Sequence, residues 1–411
     1  IKFRNFLSEN PIPAVNNELM ELRESAKKSL GKYYIDYELD DSSLLRRQIA
    51  RRCIYGIDLN PLSTDLAKLS VWIYTFVPGL PLSLLDRNLV KGDSLIGIGS
   101  FKDLEDAFDL DTMPLMKDLF INEINKSIKP LKKISLISEM NIEETKKAEE
   151  YLKEAFISSK KTKKIMNYAT SIISGETLNE LADLNEIENN LSFKNSQYIE
   201  EKYSSIHFPY IFPEIFLKDN PGFDCILGNP PYKEITLEEI SFWGRYYPGI
   251  KGLKGQEKWD VINKIKTLFP NAEKELEEEK KKIKDYNQKV RKIYSQLGGG
   301  DTDIYKAFCW RFLNLLREGG YAGIVLPRSA TSSKGSKNWR LEVLKNGSFN
   351  DIALLKNEKN WVFDDVGSNY TFALLTFTKN KLSKEKIRIS GPYISMKEFE
   401  ENKVIENDYL T

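Results

Sequence analysis

The chain has 411 residues and carries 61 Lys and Arg against 60 Asp and Glu, a formal net charge of +1. That balance excludes a global polyanion-binding signature and leaves any nucleic-acid surface to a local patch. The length exceeds what one hydrophobic core usually serves, so one large domain with extensions, or two domains, is expected; the 41% apolar fraction suits a soluble globular protein. Three cysteines, Cys53, Cys225 and Cys309, lie far apart and lack zinc-site spacing. They point to a reducing, cytoplasmic compartment and to no metal centre, and all three are expected to pack in the interior. No run approaches the ~18 apolar residues of a membrane span, and no secretory signal is visible. The first residue is Ile1 rather than methionine, and the chain is expected to be a fragment of something longer.

Residues 1–52 read as a helical lead-in. Residues 53–59, "CIYGIDL", read as a buried strand ending in an acid, Asp58. A helix follows, in which Leu62, Leu66, Leu69 and Ile73 recur at helical spacing and Pro61 suits the first turn. "NLVKGD" is a second short strand ending at Asp93. Residues 53–100 thus open a domain that 206–380 resumes. Between them, 101–205 is rich in lysine and glutamate, has no strand signal, and reads as a helical insertion with a solvated face. "FDCILGN" is a third strand. A second helical insertion is expected near 235–297, including the charged helix 272–294, whose acidic start and basic end complement the helix dipole. After the "GGG" break, Asp301 or Thr302 caps an amphipathic helix that Gly319 stops. "YAGIVLP", "FNDIALL" and "YTFALLTF" are the fourth to sixth strands, the last antiparallel to its neighbour, and 381–411 begins a C-terminal region.

Short continuous apolar strands alternating with helices predict an α/β fold: a doubly wound, mostly parallel sheet covered on both faces. Ligands in such sheets sit beyond the carboxyl ends of the strands, and Asp58, Asp93, Asn229 and Pro327 all fall at those ends.

The third strand runs into Asn229, Pro230, Pro231 and Tyr232. An aromatic amine such as that of adenine is a poor nucleophile, because its lone pair is delocalised into the ring. It is activated when acceptors draw on its two N–H bonds, so that the nitrogen becomes more tetrahedral. An Asn oxygen and a neighbouring carbonyl do this, and a proline holds that carbonyl at fixed φ. A following tyrosine stacks on a base that has left its duplex. The bland reading is a rigid strand-to-loop turn, but two acid-terminated strands precede this one.

In order, "YGIDLNPLSTDLAKLSVWI", "VKGDSLIG", "FPEIF…GFDCILGNPPY", "GDTDIYKAF", "GGYAGIVLPRS" and "WVFDDVGSNYTFALLTF" resemble the adenine-N6 DNA methyltransferases of restriction–modification systems, specifically the large single-chain type IIG (Eco57I-like) proteins. The matches span about residues 45–380. The resemblance implies a Rossmann-like, class I methyltransferase fold and S-adenosylmethionine as cofactor. Asp58, with Leu59 beside it, looks like the acid that binds the cofactor's ribose. Asp93 with Ser94 looks like the group that reads its adenine, and Asn229 is shared between cofactor and target. Asn229, Pro230 and Pro231 would hold the target amine. Tyr232 would stack on the base, and Phe363 resembles a second aromatic packed on it. The family's glycine-rich loop, D-P-x-C-G-S-G, has no counterpart in residues 1–57; it is expected upstream of Ile1 or lost.

Double-stranded DNA is the implied partner. Arg328, Lys334, Lys337 and Arg340 follow a strand's carboxyl end, and Arg245 follows the tetrad; these are candidate phosphate contacts. A nuclease and a target-recognition domain would lie elsewhere in a longer protein. Two other readings remain open: a methyltransferase acting on a protein glutamine amide, which shares the tetrad chemistry but is compact, and a non-catalytic DNA-binding or scaffold fragment, favoured by the missing loop. His207, in a proline-punctuated apolar segment, is expected to be structural.

Overall fold

The structure, a computed structural model, describes residues 9–36, 39–109, 114–176, 202–297, 303–380, 387–402 and 409–410. The expected cap at Asp301 or Thr302 lies outside them. The chain divides into two compact units, Ile1–Asp219 and Asn220–Thr411.

In the first unit, helices α1 (Pro13–Leu30) and α2 (Asp41–Cys53) pack through Leu22, Ala26, Leu44 and Leu45. The Asp40 carboxylate caps α2 by accepting from Ser42 N–H at 3.1 Å. Strand β1 (Gly56–Asp58) is shorter than expected, because α2 runs on to Cys53. It pairs in parallel with β2 (Leu89–Lys91), Asp58 opposite Lys91. Between them lies α3 (Pro61–Tyr74), capped by Asn60, whose side chain accepts from Leu62 N–H at 2.9 Å. The helix forms where expected, but its apolar stripe is open: Leu62, Leu66, Leu69 and Ile73 are 49–69% exposed.

The first insertion is helical, as its composition requires: α4 (Phe101–Phe108), α5 (Pro114–Ser135), α6 (Ile142–Ser158) and α7 (Lys160–Ile173). Its own core gathers Ile98, Phe108, Ile124, Ile165 and Tyr168. His207 is buried beside it. Its Nδ1 accepts from Ile98 N–H at 3.2 Å, and its Nε2–H donates to Asn167 Oδ1 at 2.8 Å, a structural role. A buried ion pair joins insertion to lead-in: Arg51 Nε lies 2.9 Å from Glu139 Oε1, with side chains 5% and 1% exposed. Glu139 Oε2 also accepts from Leu84 N–H at 2.9 Å.

The second unit is built on a six-stranded sheet of order β3 (Phe223–Gly228), β4 (Leu316–Pro327), β6 (Thr371–Thr378), β5 (Ser348–Lys356), β7 (Ile387–Tyr393) and β8 (Tyr409–Leu410). β3 is parallel to β4 and β5 to β7, while β6 is antiparallel to both β4 and β5, and β8 to β7. The sheet is mixed rather than mostly parallel, and the doubly wound arrangement is not what this unit displays. One face, carrying Ala322, Ile324, Leu326, Ala373, Leu375 and Phe377, is covered by α11 (Ile304–Leu315) and α12 (Lys337–Asn346). The other is covered toward β7 by Trp361, Val362 and Phe399, and at Phe372 by Tyr232 and Phe363; at the β3–β4 end Leu227 is 81% and Tyr321 54% exposed. Continuous apolar strands look alike in sequence whether one face or both are covered, hence the error. It accounts for Cys225 as well, which lies on that open face and is exposed. Cys53, at the end of α2, is also exposed, and only Cys309 is buried as expected, its thiol pushed up by burial.

Residues 239–293 form α8 (Glu239–Trp243), α9 (Gly255–Leu268) and α10 (Ala272–Ile293) around Phe242, Trp243, Ile262, Ile265 and Leu276. No helix among the described residues is long and apolar enough to cross a membrane.

Removing one partner of a buried ion pair strands the other charge. Glu139→Ala is expected to lower the stability of the first unit by ~3–5 kcal/mol in denaturant titration. Glu143→Ala, at a side chain 81% exposed, should leave the midpoint in place; equal effects would show that the Arg51 pair carries no special weight.

Candidate functional site

The tetrad begins where β3 ends. Gly228 is the last strand residue, and a Cβ there would stand 2.8 Å from Cζ of the Phe312 side chain on α11, so the glycine leaves room for that ring. Gly228 pairs with Ile324 in parallel register, which puts Asn229 at the same strand end as Pro327, the last residue of β4. Pro230 is buried, and Asn229 and Pro231 are exposed. The Asn229 amide has no hydrogen-bond partner among the described residues, so it does not cap the following turn.

Tyr232 is half-buried and turns back onto the sheet, its ring centroid 5.9 Å from that of Phe372. Phe363, from the segment between β5 and β6, meets the same Phe372 edge to face, at 4.9 Å and 73°. Two aromatics far apart in sequence therefore converge on one anchor, which is 1% exposed. The Tyr232 hydroxyl is buried without a partner among the described residues, and burial pushes the phenol up to about 12.

Asn357, at the end of β5, holds Phe363 in place and is fully inaccessible. Its Nδ2 donates to Phe363 O at 2.9 Å and Val366 O at 2.7 Å. Its Oδ1 accepts from Val362 N–H and Phe363 N–H, both at 3.0 Å. One amide thereby satisfies four backbone groups of a segment with no regular structure of its own. Lys359 and Asn360, with φ of 56° and 59°, make the turn that leads into this segment.

Neither Asn357 nor Phe372 stood out in the sequence. Phe372 reads as one more apolar residue of "YTFALLTF", and "LLKNEKNW" offers no motif. An asparagine closing an apolar strand just before a turn was the available signal.

In the first unit, the β1–β2 register places Asp58 and Asp93 at the carboxyl end of adjacent parallel strands. Asp58 is exposed; its Oδ1 accepts from Asn60 N–H at 2.7 Å. Asp93 is 4% exposed, and its Oδ1 accepts from Leu95 N–H at 2.8 Å and Ile96 N–H at 3.0 Å. It binds the turn that follows it. Leu59 is 51% exposed and Ser94 half-buried.

The candidate phosphate contacts fall into two groups. Arg328, Lys334 and Lys337 are exposed beyond β4. Arg340 and Arg245 are engaged internally: Arg340 Nη1 donates to Ala330 O at 2.9 Å and Ser333 O at 3.0 Å, while Arg245 grips Glu279 with two bonds, at 2.5 and 3.2 Å. Among the described residues, no group of three or more His, Cys, Asp or Glu could hold a metal ion.

Loss of the Asn357 amide strands four buried backbone groups. Asn357→Ala is expected to cost ~2–4 kcal/mol on the scale of buried unsatisfied groups, by denaturant titration, and to abolish protection of the Phe363 amide in hydrogen exchange. A second expectation concerns pH. The Tyr232 phenol is raised in the folded state from 10.0 to about 12, so its protonated form is favoured by folding. Its contribution is fully present below the unfolded value and lost as pH rises through the folded one. The stability of the parent relative to Tyr232→Phe should fall across that window and be flat below it; a constant difference would contradict the buried phenol.

Compared with known proteins, residues 52–258 and 273–363 match the model of the Eco57I restriction-modification methylase family. No curated protein matches the chain. Among solved structures, a cryoEM structure of a DrdV–DNA complex is similar at TM-score 0.25 and 15% identity over 60% of this chain. The likeness covers 22% of that chain, so this protein spans about a fifth of its length. With the matched residues running from the end of α2 through the tetrad to Phe363, the chain belongs to the Eco57I restriction-modification methylase family.

Proposed function

We propose that this chain is the methyl-transferring part of a restriction–modification DNA methyltransferase of the type IIG class, that its target is the N6 amine of an adenine swung out of duplex DNA, and that S-adenosylmethionine is the methyl donor. The observation that carries the reading is the exposed, unengaged Asn229 amide one turn from the Tyr232–Phe372–Phe363 cluster.

The amine's hydrogens need acceptors as its nitrogen becomes tetrahedral. The Asn229 oxygen and the Pro230 carbonyl take them, and the two prolines keep both acceptors from relaxing toward solvent. A flipped base also loses its stacking in the duplex. The Tyr232 ring replaces one neighbour of the base and Phe363 packs on the base as well; Phe372, which both rings meet, keeps them from yielding. No side chain need remove a proton before attack, consistent with a tetrad free of titratable groups at neutral pH.

The residues fit the nucleoside half of the cofactor. Asp58 has a second carboxylate oxygen for the ribose hydroxyls beside the one held by Asn60, and Asp93 with Ser94 stands at the neighbouring strand end. The methionine half finds no glycine-rich loop in residues 1–57. When bound, S-adenosylmethionine supplies an electrophilic methyl group. What the chain itself contributes is the placement of the amine and the acceptors for its hydrogens.

An acceptor that acts mainly on the tetrahedral nitrogen affects rate and not binding. In the intact protein, Asn229→Ala is expected to slow methylation of duplex DNA by ~100-fold or more, with DNA and cofactor affinities close to the parent's. Tyr232→Ala should weaken retention of the flipped base by ~1–3 kcal/mol, read with a fluorescent adenine analogue at the target position, while Tyr232→Phe keeps it. Transfer by Asn229→Ala at nearly the parent rate would reduce the tetrad to a rigid turn and remove the basis of this reading.

A further inference from the structure

Helix α10 separates its charges along its length. Residues 273–279 hold Glu273, Glu275, Glu277, Glu278 and Glu279 with one lysine, Lys274; residues 280–292 hold seven bases and one acid, Asp285. Such a division suits the helix dipole, and a charge run is ordinarily a solvated face. Here the two halves are treated differently by the rest of the protein.

The acidic half is used internally. Glu273 pairs with Lys266 at 2.8 Å, Glu275 accepts from the Tyr246 hydroxyl at 2.7 Å, and Glu279 holds Arg245. The basic half is fastened on its inner side to the segment just after the tetrad. Asn287 Nδ2 donates to Ile235 O at 2.8 Å, Lys280 meets Glu239 at 2.7 Å, and Arg291 meets Glu234 at 3.3 Å. A groove of about 380 Å³ runs between that segment and the helix, with Lys280, Lys284 and Arg291 along one wall. Lys281, Lys284 and Lys292, with Gln288 between them, are exposed, Lys284 and Gln288 at the rim of that groove. Their spacing of three, four and four residues puts them on one stripe. It is ~16 Å long at 1.5 Å per residue, the rise of about five base pairs.

We propose that this stripe is a phosphate-contact surface for duplex DNA flanking the target base. The inference rests on the DNA methyltransferase reading. Three exposed lysines on a helix fastened to the segment that leaves the tetrad, in a chain whose net charge is only +1, form a local cationic surface of the kind a balanced protein needs to hold a polyanion. The ties to Ile235, Glu234 and Glu239 make its distance from the tetrad a property of the fold.

The test is the triple variant Lys281→Gln/Lys284→Gln/Lys292→Gln in the intact protein, with duplex DNA binding measured at several salt concentrations. Each lost phosphate contact lowers the slope of log affinity against log salt by ~0.9, so three should lower it by ~2.7, with affinity at low salt down by about tenfold or more. The methylation rate at saturating DNA should match the parent, and Lys274→Gln, in the acidic half, should keep the parent's slope. A parent that binds and methylates duplex DNA while the triple variant keeps its slope and affinity overturns the surface alone. A parent without duplex affinity overturns the functional reading and the surface with it.

Discussion

β6 runs antiparallel between β4 and β5 and hydrogen-bonds to both, and this placement governs the second unit. Side chains alternate along a strand, so one face of β6 delivers Ala373, Leu375 and Phe377 to the helices and the other delivers Phe372 to the carboxyl end of β4. Phe372 stands opposite Pro327 and Leu355. It thus sits where β3 and β4 release their loops and where the segment after β5 must pass. A shift of one residue would turn Phe372 toward the helices and leave Tyr232 and Phe363 without a common anchor. The register is secured by Trp339, Phe349 and Phe377, which pack edge to face across the covered side.

Rigidity at the site has two sources of different kind. The tetrad is stiff because of its covalent structure: two prolines fix φ, and Gly228 lets Phe312 lie against the backbone. The Phe363 segment is stiff only because Asn357 binds it. A side-chain amide has two donors and one acceptor with two lone pairs, and the four backbone groups it meets use that capacity fully. Buried in low dielectric, such a network is worth more than on the surface, and a member left unpaired there is costly.

Charge is distributed by the same economy of partners. The carboxylates of α10 are matched by Lys266, Tyr246 and Arg245 inside the insertion, while Lys281, Lys284 and Lys292 face solvent. In the first unit, Asp58 and Asp93 each give one oxygen to a backbone turn. These turns orient the carboxylates before any ligand arrives, so their geometry is set by folding.

Much of this was legible in the amino-acid order because it is local. The strand ends at Asp58 and Pro327, the helical insertions and the tetrad's stiffness follow from residues within a few positions of one another. Which faces are covered was not legible: the stripe of α3 and the side chains of Leu227 and Tyr321 have the pattern of buried residues yet stand exposed. Nor were Phe372 and Asn357, whose roles arise from pairing between strands and from backbone groups brought together by a turn. Nor were the partners of Arg245, which is exposed yet paired with Glu279, and of Arg340, held by the carbonyls of Ala330 and Ser333. The sequence by itself determined the chemistry available at each strand end, since conformational preference and side-chain type are properties of the residue. The tertiary structure decided which of those groups meet, because hydrogen bonds and packing act over a few ångströms in space and are indifferent to distance along the chain.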